Sequence, residues 1–299
     1  MPQQNDSSAS SSVNNTENPS TPTPSQPNTS PLVPPKKFGT INISPPPLFT
    51  NLTSNIHPIA TKSRRQSPPD MKFMREEVDK LFKLGIIQPS ISPWRAQAFV
   101  TKEDDNHRKR MVVDYSETIN LFTELDAYPM PNILDMVQKM SQYKYFSTFD
   151  LKAAYHQVPI KEEDRKYTAF EVDGQLWEFT VIPFGVTNGV SAFQRTIDKV
   201  IKEEGLTDTF AFVDNLTVCG RTKEEHDENV KKFLQMLIKY NFTLNESKTI
   251  QSATSITVLG YTVSYDKISP DRERLRPLLE MPPPSTLKAQ KRIVGMFSY

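Results

Sequence analysis

Two aspartates, each beside a run of apolar residues, are the side chains of this sequence best placed to do chemistry. Alternating apolar residues at 145–149 lead into Asp150, and a helix-compatible run follows it, which predicts a carboxylate displayed where a strand ends. Asp214 and Asn215 split the apolar stretch 210–219, which predicts a β-hairpin with these two residues at its tip. If both segments pair in one sheet, the two carboxylates meet at its edge, where they would suit a divalent metal.

Each aspartate also has an explanation that needs no chemistry. An aspartate just before a helix is usually an N-cap, and an Asp-Asn pair between strands usually serves only the turn. Taken singly, neither aspartate distinguishes a metal ligand from a structural residue. The sequence between and around them is what favours a site.

Composition limits the classes of function without selecting one. The chain has 299 residues, of which 36% are hydrophobic and 10% aromatic, enough for a sizeable core. A net charge of +1 says little about nucleic acid, because basic and acidic stretches cancel in the sum. The single cysteine, Cys219, excludes an internal disulfide and a cysteine metal cage. We find no apolar run of roughly 18 to 20 residues and no signal-peptide core, and therefore expect a soluble intracellular protein, cytoplasmic or nuclear, without membrane contact.

The first 47 residues differ in composition from the rest. They are rich in Ser, Asn, Thr, Gln and Pro, and they contain too few large apolar residues to offset the entropy of ordering. We expect residues 1–47 to form a disordered tail and residues 48–70 an extended lead-in. The proline clusters of the tail would fit aromatic-lined grooves, which keeps a non-enzymatic adaptor as one alternative.

Several sequence blocks occur in an order that resembles one family. FDLKAAYHQ at 149–157, FGVTNGVSAFQR at 184–195 and FVDN at 212–215 resemble motifs A, B and C of a reverse transcriptase. Four flanking blocks fit the same family: LGIIQPSISPW at 84–94, KRMVVDYSETIN at 109–120, LNESK at 244–248 and VLGYTVSYDKIS at 258–269. From about residue 57 onward, the chain is similar to the polymerase of gypsy-type LTR retrotransposons.

The resemblance implies a right-hand α+β polymerase fold. It has fingers, an antiparallel palm sheet with helices on one face, and a partial thumb. By this resemblance, residues 71–183 form the fingers, with a first palm segment inserted at about 126–157; residues 184–265 form the palm, and residues 266–299 begin a truncated thumb. Apolar spacing independently predicts a helix over 223–240.

The resemblance also implies an activity: RNA-directed DNA polymerisation from dNTPs on an RNA or DNA template. Two Mg²⁺ ions, or Mn²⁺, would be held by Asp150 and Asp214 with help from Asn215. The partners implied are a template-primer and dNTPs, with RNase H and integrase portions in a longer polyprotein. The sequence does not choose between a monomer and a homodimer.

Three residues match the family's contacts to the incoming nucleotide. Lys102 and Arg110 match the lysine and arginine of the fingers hairpin that contact the triphosphate, where the planar fork of arginine binds oxygens in pairs. Tyr155 matches the aromatic wall that excludes a ribose 2′-hydroxyl. Without the resemblance, the two cations would be interpreted as a solvated hairpin rim and the tyrosine as a core residue.

Motifs B and D supply the remaining nucleotide-site residues. Phe184, Gly185 and Gln194 match the motif that supports the template base and the nucleotide. Lys248 matches the motif D lysine, a candidate proton donor to pyrophosphate, although an ordinary surface lysine is an equal alternative. These assignments come from the resemblance and not from spacing.

Asn215 departs from the family, which usually has two aspartates in motif C. An asparagine keeps an oxygen ligand but removes a negative charge near the metal, which is worth on the order of several kcal/mol at about 4 Å and an effective dielectric of about 20. Because the resemblance places the metals chiefly on Asp150 and Asp214, we expect the site to survive with reduced metal affinity. Asn215 and the short thumb favour one alternative: a catalytically inactive or co-opted fragment that binds nucleic acid or protein.

Overall fold

The structure is a computed structural model, and it describes residues 39–101 and 109–297. The helices within these residues are α1 (Pro68–Lys83), α2 (Ile133–Met140), α3 (Glu162–Arg165), α4 (Gly189–Glu203), α5 (Lys223–Tyr240), α6 (Arg272–Leu279) and α7 (Leu287–Phe297). The strands are β1 (Ile87–Pro89), β2 (Ala96–Val100), β3 (Met111–Asp114), β4 (Tyr145–Asp150), β5 (Phe170–Val172), β6 (Gln175–Phe179), β7 (Thr209–Phe212), β8 (Asn215–Gly220), β9 (Ile250–Ala253), β10 (Ser255–Val258), β11 (Tyr261–Ser264) and β12 (Lys267–Pro270). Of the helices in this described part, none is both long and apolar enough to cross a membrane.

The described strands form three sheets. A five-stranded sheet has the order β1-β6-β5-β2-β3, with β2 and β5 parallel and the other neighbours antiparallel. A four-stranded sheet, β7-β8-β4-β9, is antiparallel throughout. Strands β10, β11 and β12 form a separate antiparallel meander. The four-stranded sheet is the antiparallel palm sheet predicted from the sequence.

The palm sheet is buried differently on its two faces because side chains alternate along each strand. Phe149 of β4, opposite Leu216 of β8, packs on Phe233 of α5 at 4.7 Å between ring centroids. Phe146, opposite Cys219, points to the other face, into a second core shared with α2 and the β10–β11 strands. Helix α5 therefore covers one face, as predicted, and the other face stays accessible where β4 ends.

Helix α5 begins and ends where its sequence provides caps. The side chain of Thr222 accepts a hydrogen bond from the backbone N–H of Glu225 at 3.2 Å, which satisfies one of the free donors of the first turn. Asn241 ends the helix with a φ of 63°, a left-handed conformation that asparagine tolerates. The bounds of α5 match the helix predicted over 223–240.

The chain packs against the palm before the point at which we expected the tail to end. Ile41, Leu48 and Phe49 are all buried, and the backbone N–H of Ile41 donates to the carbonyl oxygen of Gln157 at 2.7 Å. The polar average composition of residues 1–47 gave no sign of Ile41, a single apolar side chain that is buried in the core. The packed part of the chain thus includes residues that composition had assigned to the tail.

Candidate active site

The two aspartates lie at neighbouring strand ends of the palm sheet. Asp150 is the last residue of β4, and Asn215, the first residue of β8, pairs with it across the ladder. The backbone N–H of Leu151 donates to the carbonyl oxygen of Asp214 at 3.3 Å, which joins the hairpin tip to the end of β4. The structure therefore brings Asp150, Asp214 and Asn215 together at one end of the sheet.

The hairpin turn lies one residue earlier than the sequence predicted. Phe212 and Asn215 form the last pair of the β7–β8 ladder, so the two residues of the turn are Val213 and Asp214. Val213 has a φ of 52°, a conformation that is unfavourable for a β-branched residue and costs about 1–3 kcal/mol. The predicted tip of Asp214 and Asn215 was wrong because pairing with Asp150 holds Asn215 in the sheet.

Gln194 holds this strained turn in place. Its side-chain oxygen accepts a hydrogen bond from the N–H of Val213 at 2.7 Å. Its nitrogen donates to the carbonyl oxygen of Ala211 at 3.1 Å and to Asp198 at 2.9 Å. Gln194 has no exposed surface. Its amide is thus bonded to the hairpin and to its own helix.

Two side chains from the segment after α5 contact the carboxylate of Asp150. Asn245 donates to Oδ1 and Lys248 to Oδ2, each at 3.2 Å. The backbone N–H of Asn245 also donates to the carbonyl oxygen of Asp150 at 2.8 Å. The side chain of Asp150 is only 18% exposed while that of Lys248 is 64% exposed, so a largely buried anion pairs with a solvated cation.

The donor set suits a hard metal ion that keeps part of its water shell. Among residues 39–101 and 109–297, no three His, Cys, Asp or Glu side chains converge on one point as a complete metal cage. Mg²⁺ is usually bound by one or two carboxylates together with water and substrate phosphates, so Asp150 and Asp214 are sufficient in type. The Asp150 carboxylate forms an ion pair with the ammonium group of Lys248 at 3.2 Å.

Tyr155 forms an aromatic wall beside the aspartates. Its ring packs edge-on against Phe184, at 5.0 Å between centroids, and at a tilt against Phe193, at 5.2 Å. Burial, and secondarily the negative charge of Asp214, raise the pKa of Tyr155, so the phenol stays neutral. Phe184 is 55% exposed and presents an apolar face to the solvent next to this wall.

Gly185, which follows Phe184, packs against strand β3 of the five-stranded sheet. It has a φ of 90°, and a Cβ at this position would lie 3.3 Å from the carbonyl oxygen of Val113 at the end of β3. The side chain of Asn120 donates to the carbonyl oxygen of Gly185 at 2.8 Å and fixes the turn. Both the backbone conformation and the close approach require glycine here.

Only one of the two predicted triphosphate-binding cations can be located. Arg110 is exposed just before β3, and its carbonyl oxygen accepts a hydrogen bond from the N–H of Thr101 at 2.9 Å, which extends the β2–β3 ladder. Lys102 lies outside the described residues. The structure therefore positions Arg110 at the end of the fingers hairpin and leaves the prediction for Lys102 as it stood.

A comparison with protein families identifies the chain. The family described as "Reverse transcriptase (RNA-dependent DNA polymerase)" matches residues 99–263, which is more than half of the sequence and includes Asp150, Asp214 and Asn215. The chain belongs to the reverse transcriptase family. The resemblance inferred from the ordered blocks is thereby confirmed.

Curated relatives of this reverse transcriptase are Pol polyproteins of transposons. It is 34% identical over 232 residues to the retrovirus-related Pol polyprotein from transposon gypsy of Drosophila melanogaster, covering 76% of this chain and 22% of the relative. It is 34% identical over 252 residues to the corresponding polyprotein from transposon opus of the same organism, covering 83% and 25%. The chain spans about a quarter of the length of these relatives.

Solved structures with the same fold include a foamy viral protease-reverse transcriptase. In its complex with double-stranded DNA, 87% of this chain and 45% of that chain superpose with a TM-score of 0.76 at 21% identity. In its complex with an RNA/DNA hybrid, the TM-score is 0.73 at 21% identity, over 87% of this chain and 34% of that chain. These likenesses confirm the predicted right-hand polymerase fold.

Sequence reasoning missed one residue of this reverse transcriptase that shapes the site, and it missed the hydrogen bonds made by another. Asn245 contacts both the carboxylate and the carbonyl of Asp150, and its only signal was its position in the LNESK block beside Lys248. Gln194 was noticed, but its link to the turn at Val213 crosses 19 residues and no local pattern predicts it.

Proposed function

We propose that this reverse transcriptase domain synthesises DNA from dNTPs on an RNA or DNA template by two-metal phosphoryl transfer. The observation that carries the proposal is the pair Asp150 and Asp214 at one end of an antiparallel sheet, tied together by the hydrogen bond from Leu151 to Asp214. Family membership adds support, because motifs A, B and C all fall within the matched residues 99–263.

Reverse transcriptases generally depend on divalent metal, and we propose two Mg²⁺ ions, replaceable by Mn²⁺, for this site. Asp150 and Asp214 would hold them, and the amide oxygen of Asn215 would assist. When bound, such ions activate the primer 3′-hydroxyl and stabilise the pyrophosphate leaving group. Asn245 would keep Asp150 in the required orientation, because its side chain and its backbone N–H both bond to that residue.

The nucleotide would lie between the fingers hairpin and the aromatic wall. Arg110 and Lys102 would bind the triphosphate, since paired cations on a hairpin can close over phosphate oxygens. Tyr155, backed by Phe184 and Phe193, would exclude a ribose 2′-hydroxyl, because rings packed at 5.0 and 5.2 Å leave the tyrosine no room to move aside. Gly185 would allow close approach of the backbone.

We assign Lys248 and Gln194 different tasks. Lys248 would give a proton to the departing pyrophosphate; its side chain is exposed enough to move from Asp150 toward the phosphates. Gln194 would act indirectly, by holding the Val213–Asp214 turn through its hydrogen bonds with Ala211 and Val213, while Asp198 of its own helix fixes the amide. Gln194 is therefore proposed as a positioning residue and not as a ligand of the template.

The partners proposed are a template-primer duplex and dNTPs. The structural neighbours were solved with double-stranded DNA and with an RNA/DNA hybrid, which are the duplexes such a domain would handle. The transposon relatives are polyproteins, of which this chain matches 22% and 25% of the length. RNase H and integrase portions would belong to a longer polyprotein of the same kind, and a homodimer stays possible as a further assembly.

Primer extension tests this function. The substrate is oligo(dT) on poly(rA), with Mg²⁺ and separately with Mn²⁺, and the control is Asp150→Asn, which keeps the shape of the side chain and removes its charge. We expect extension by the wild-type chain that is lost in the control, and stronger extension with Mn²⁺ because Asn215 weakens metal binding. No extension in either metal by folded protein would overturn the proposal and leave the inactive binding fragment.

A further inference from the structure

A buried serine, histidine and aspartate form a hydrogen-bonded row on the face of the palm sheet opposite the aspartates. Ser147 Oγ lies 3.0 Å from His226 Nε2, and His226 Nδ1 lies 3.1 Å from Asp227 Oδ1. Ser147 and His226 have almost no exposed surface, whereas Asp227 is exposed and also binds Lys223. A serine without exposed surface cannot reach a substrate, so this row is not a nucleophilic site.

The serine of this row accepts a hydrogen bond from a backbone N–H at an irregularity in the palm sheet. Phe146 pairs with Ala253 and Thr148 with Ile250, so one residue of β4, Ser147, faces two residues of β9. This is a β-bulge, in which an extra backbone N–H is left without a ladder partner. The N–H of Ser252 donates instead to Ser147 Oγ at 3.1 Å, and Ser252 has a φ of 51°.

The histidine fixes the orientation of that serine hydroxyl. Because Ser147 Oγ accepts from Ser252, its own hydrogen must point to another acceptor, and His226 Nε2 at 3.0 Å is the one placed to receive it. Nδ1 then carries the ring proton and donates it to Asp227, so the aspartate selects the tautomer that supports Ser147.

Close packing keeps the histidine at this point. A Cβ on Gly220 of β8 would lie 2.5 Å from the backbone nitrogen, the Cα and the Cβ of His226, so α5 approaches the sheet more closely than any other residue would allow. The histidine therefore has one position relative to β4 and β9.

The bulge anchors the short turn that carries Lys248 to the active site. The turn Glu246–Lys248 is held at its start by the bond from Asn245 to the carbonyl of Asp150, and at its end by the pairing of β9 with β4. We propose that His226 is a positioning residue which, through Ser147 and the bulge at Ser252, sets the position of Lys248 against Asp150. The proposal rests on the polymerase function above for its kinetic consequence only.

Two substitutions of the histidine separate this role from general packing. A glutamine side chain places its terminal amide near the position of Nε2, whereas asparagine places it near Nδ1. His226→Gln should therefore keep the contact with Ser147, and His226→Asn should lose it. Ser147→Ala removes the same contact from the other side. Thermal unfolding of each variant controls for loss of the fold.

The kinetic test is a double-mutant cycle with Lys248→Met, measured by single-nucleotide incorporation. We expect His226→Asn and Ser147→Ala to lower kcat about tenfold at an unchanged KM for dNTP, since small displacements of a catalytic group are costly. His226→Gln should recover most of the rate. In the Lys248→Met background the same substitutions should change kcat by less than about twofold, because the group they position is absent. Equal effects in both backgrounds would overturn the proposal.

Hydrogen exchange provides a readout that needs no activity. In His226→Asn and Ser147→Ala, the amide of Ser252 should exchange faster while the β4–β8 ladder stays protected; in His226→Gln, Ser252 should stay protected. If the wild-type chain incorporates no nucleotide, the polymerase proposal fails and exchange alone decides the positioning proposal. Unchanged protection of Ser252 in all three variants would overturn it.

Discussion

At the scale of single residues, the site depends on a side chain that holds a strained backbone turn in place. Val213 adopts a φ of 52° next to Asp214, and the amide of Gln194 bonds to the N–H of Val213 and to the carbonyl oxygen of Ala211, two residues earlier. A left-handed valine persists only where the surroundings determine it more strongly than its own preference. The position of Asp214 therefore depends on the buried amide of Gln194, which holds the turn before it.

Gln194→Met tests this arrangement, because methionine has a similar length and no hydrogen-bonding amide. The N–H of Val213 and the carbonyl of Ala211 would be left buried without partners. We expect a loss of about 2–4 kcal/mol in the free energy of unfolding, measured by chemical denaturation. Incorporation of nucleotides should fall with it. Unchanged stability would mean that the turn does not need the glutamine.

Asn215→Asp should strengthen metal binding. The substitution restores a negative charge beside Asp214 at the end of the sheet and keeps the size of the side chain. We expect affinity for Mn²⁺ to rise about tenfold or more, since one added charge near a divalent ion is worth at least about 1.4 kcal/mol. Titration followed by electron paramagnetic resonance measures this directly. An unchanged affinity would contradict a metal position next to Asn215.

His156 predicts a pH dependence of stability. Burial lowers the pKa of this half-buried side chain to about 4, against about 6.5 when unfolded. Between these two values the unfolded chain binds more protons than the folded one, so this residue makes stability fall as pH drops from about 6.5 to about 4. Comparing unfolding of the wild type with His156→Gln isolates the effect, which we expect to be about 3 kcal/mol in total. Equal slopes for both proteins would contradict it.

At the scale of elements, the sequence predicts those whose signals are local. Helix α5 has its caps, Thr222 and Asn241, in the sequence itself, and its predicted bounds match. The palm hairpin was predicted one residue out of place, because the turn at Val213 depends on Gln194, which is remote in sequence. The bulge at Ser252 and its bond to Ser147 could not be predicted, since they link β4 to a strand about 100 residues later.

The segment just before the lead-in packs against the folded domain, although its composition predicted disorder. Ile41 is 3% exposed and bonds to Gln157, whose side chain in turn holds the backbone of Lys152 and Thr243. Deleting residues 1–47 should therefore lower the free energy of unfolding by about 2–5 kcal/mol. Deleting residues 1–38 removes none of these contacts and is the matched control; Ile41→Ala should reproduce most of the loss. Equal stability of the two deletions would show that the segment does not stabilise the palm.

At the scale of the whole molecule, the proposed catalytic aspartates and the buried residues that support them lie on opposite faces of the palm sheet. The aspartates lie on the face that α2 and the β10–β12 meander cover only in part, while Ser147, His226 and α5 lie on the other. Under the proposed function, this division would keep the supporting side packed while a duplex binds on the other side. The fold, with its palm sheet, and motifs A, B and C could be predicted by resemblance. The contacts that hold these motifs in position, such as those of Gln194, Asn245 and Ser147, are visible only in the structure.

The most direct test of the account compares the rate of the first nucleotide addition in four proteins. These are the wild type, Asp150→Asn, Asp214→Asn and Asp79→Asn, the last a substitution of an exposed aspartate on α1 that serves as the control. Loss of a charged ligand should lower the rate of either site variant by at least about a hundredfold, and Asp79→Asn should match the wild type. If either site variant kept the wild-type rate, Asp150 and Asp214 would not form one catalytic centre.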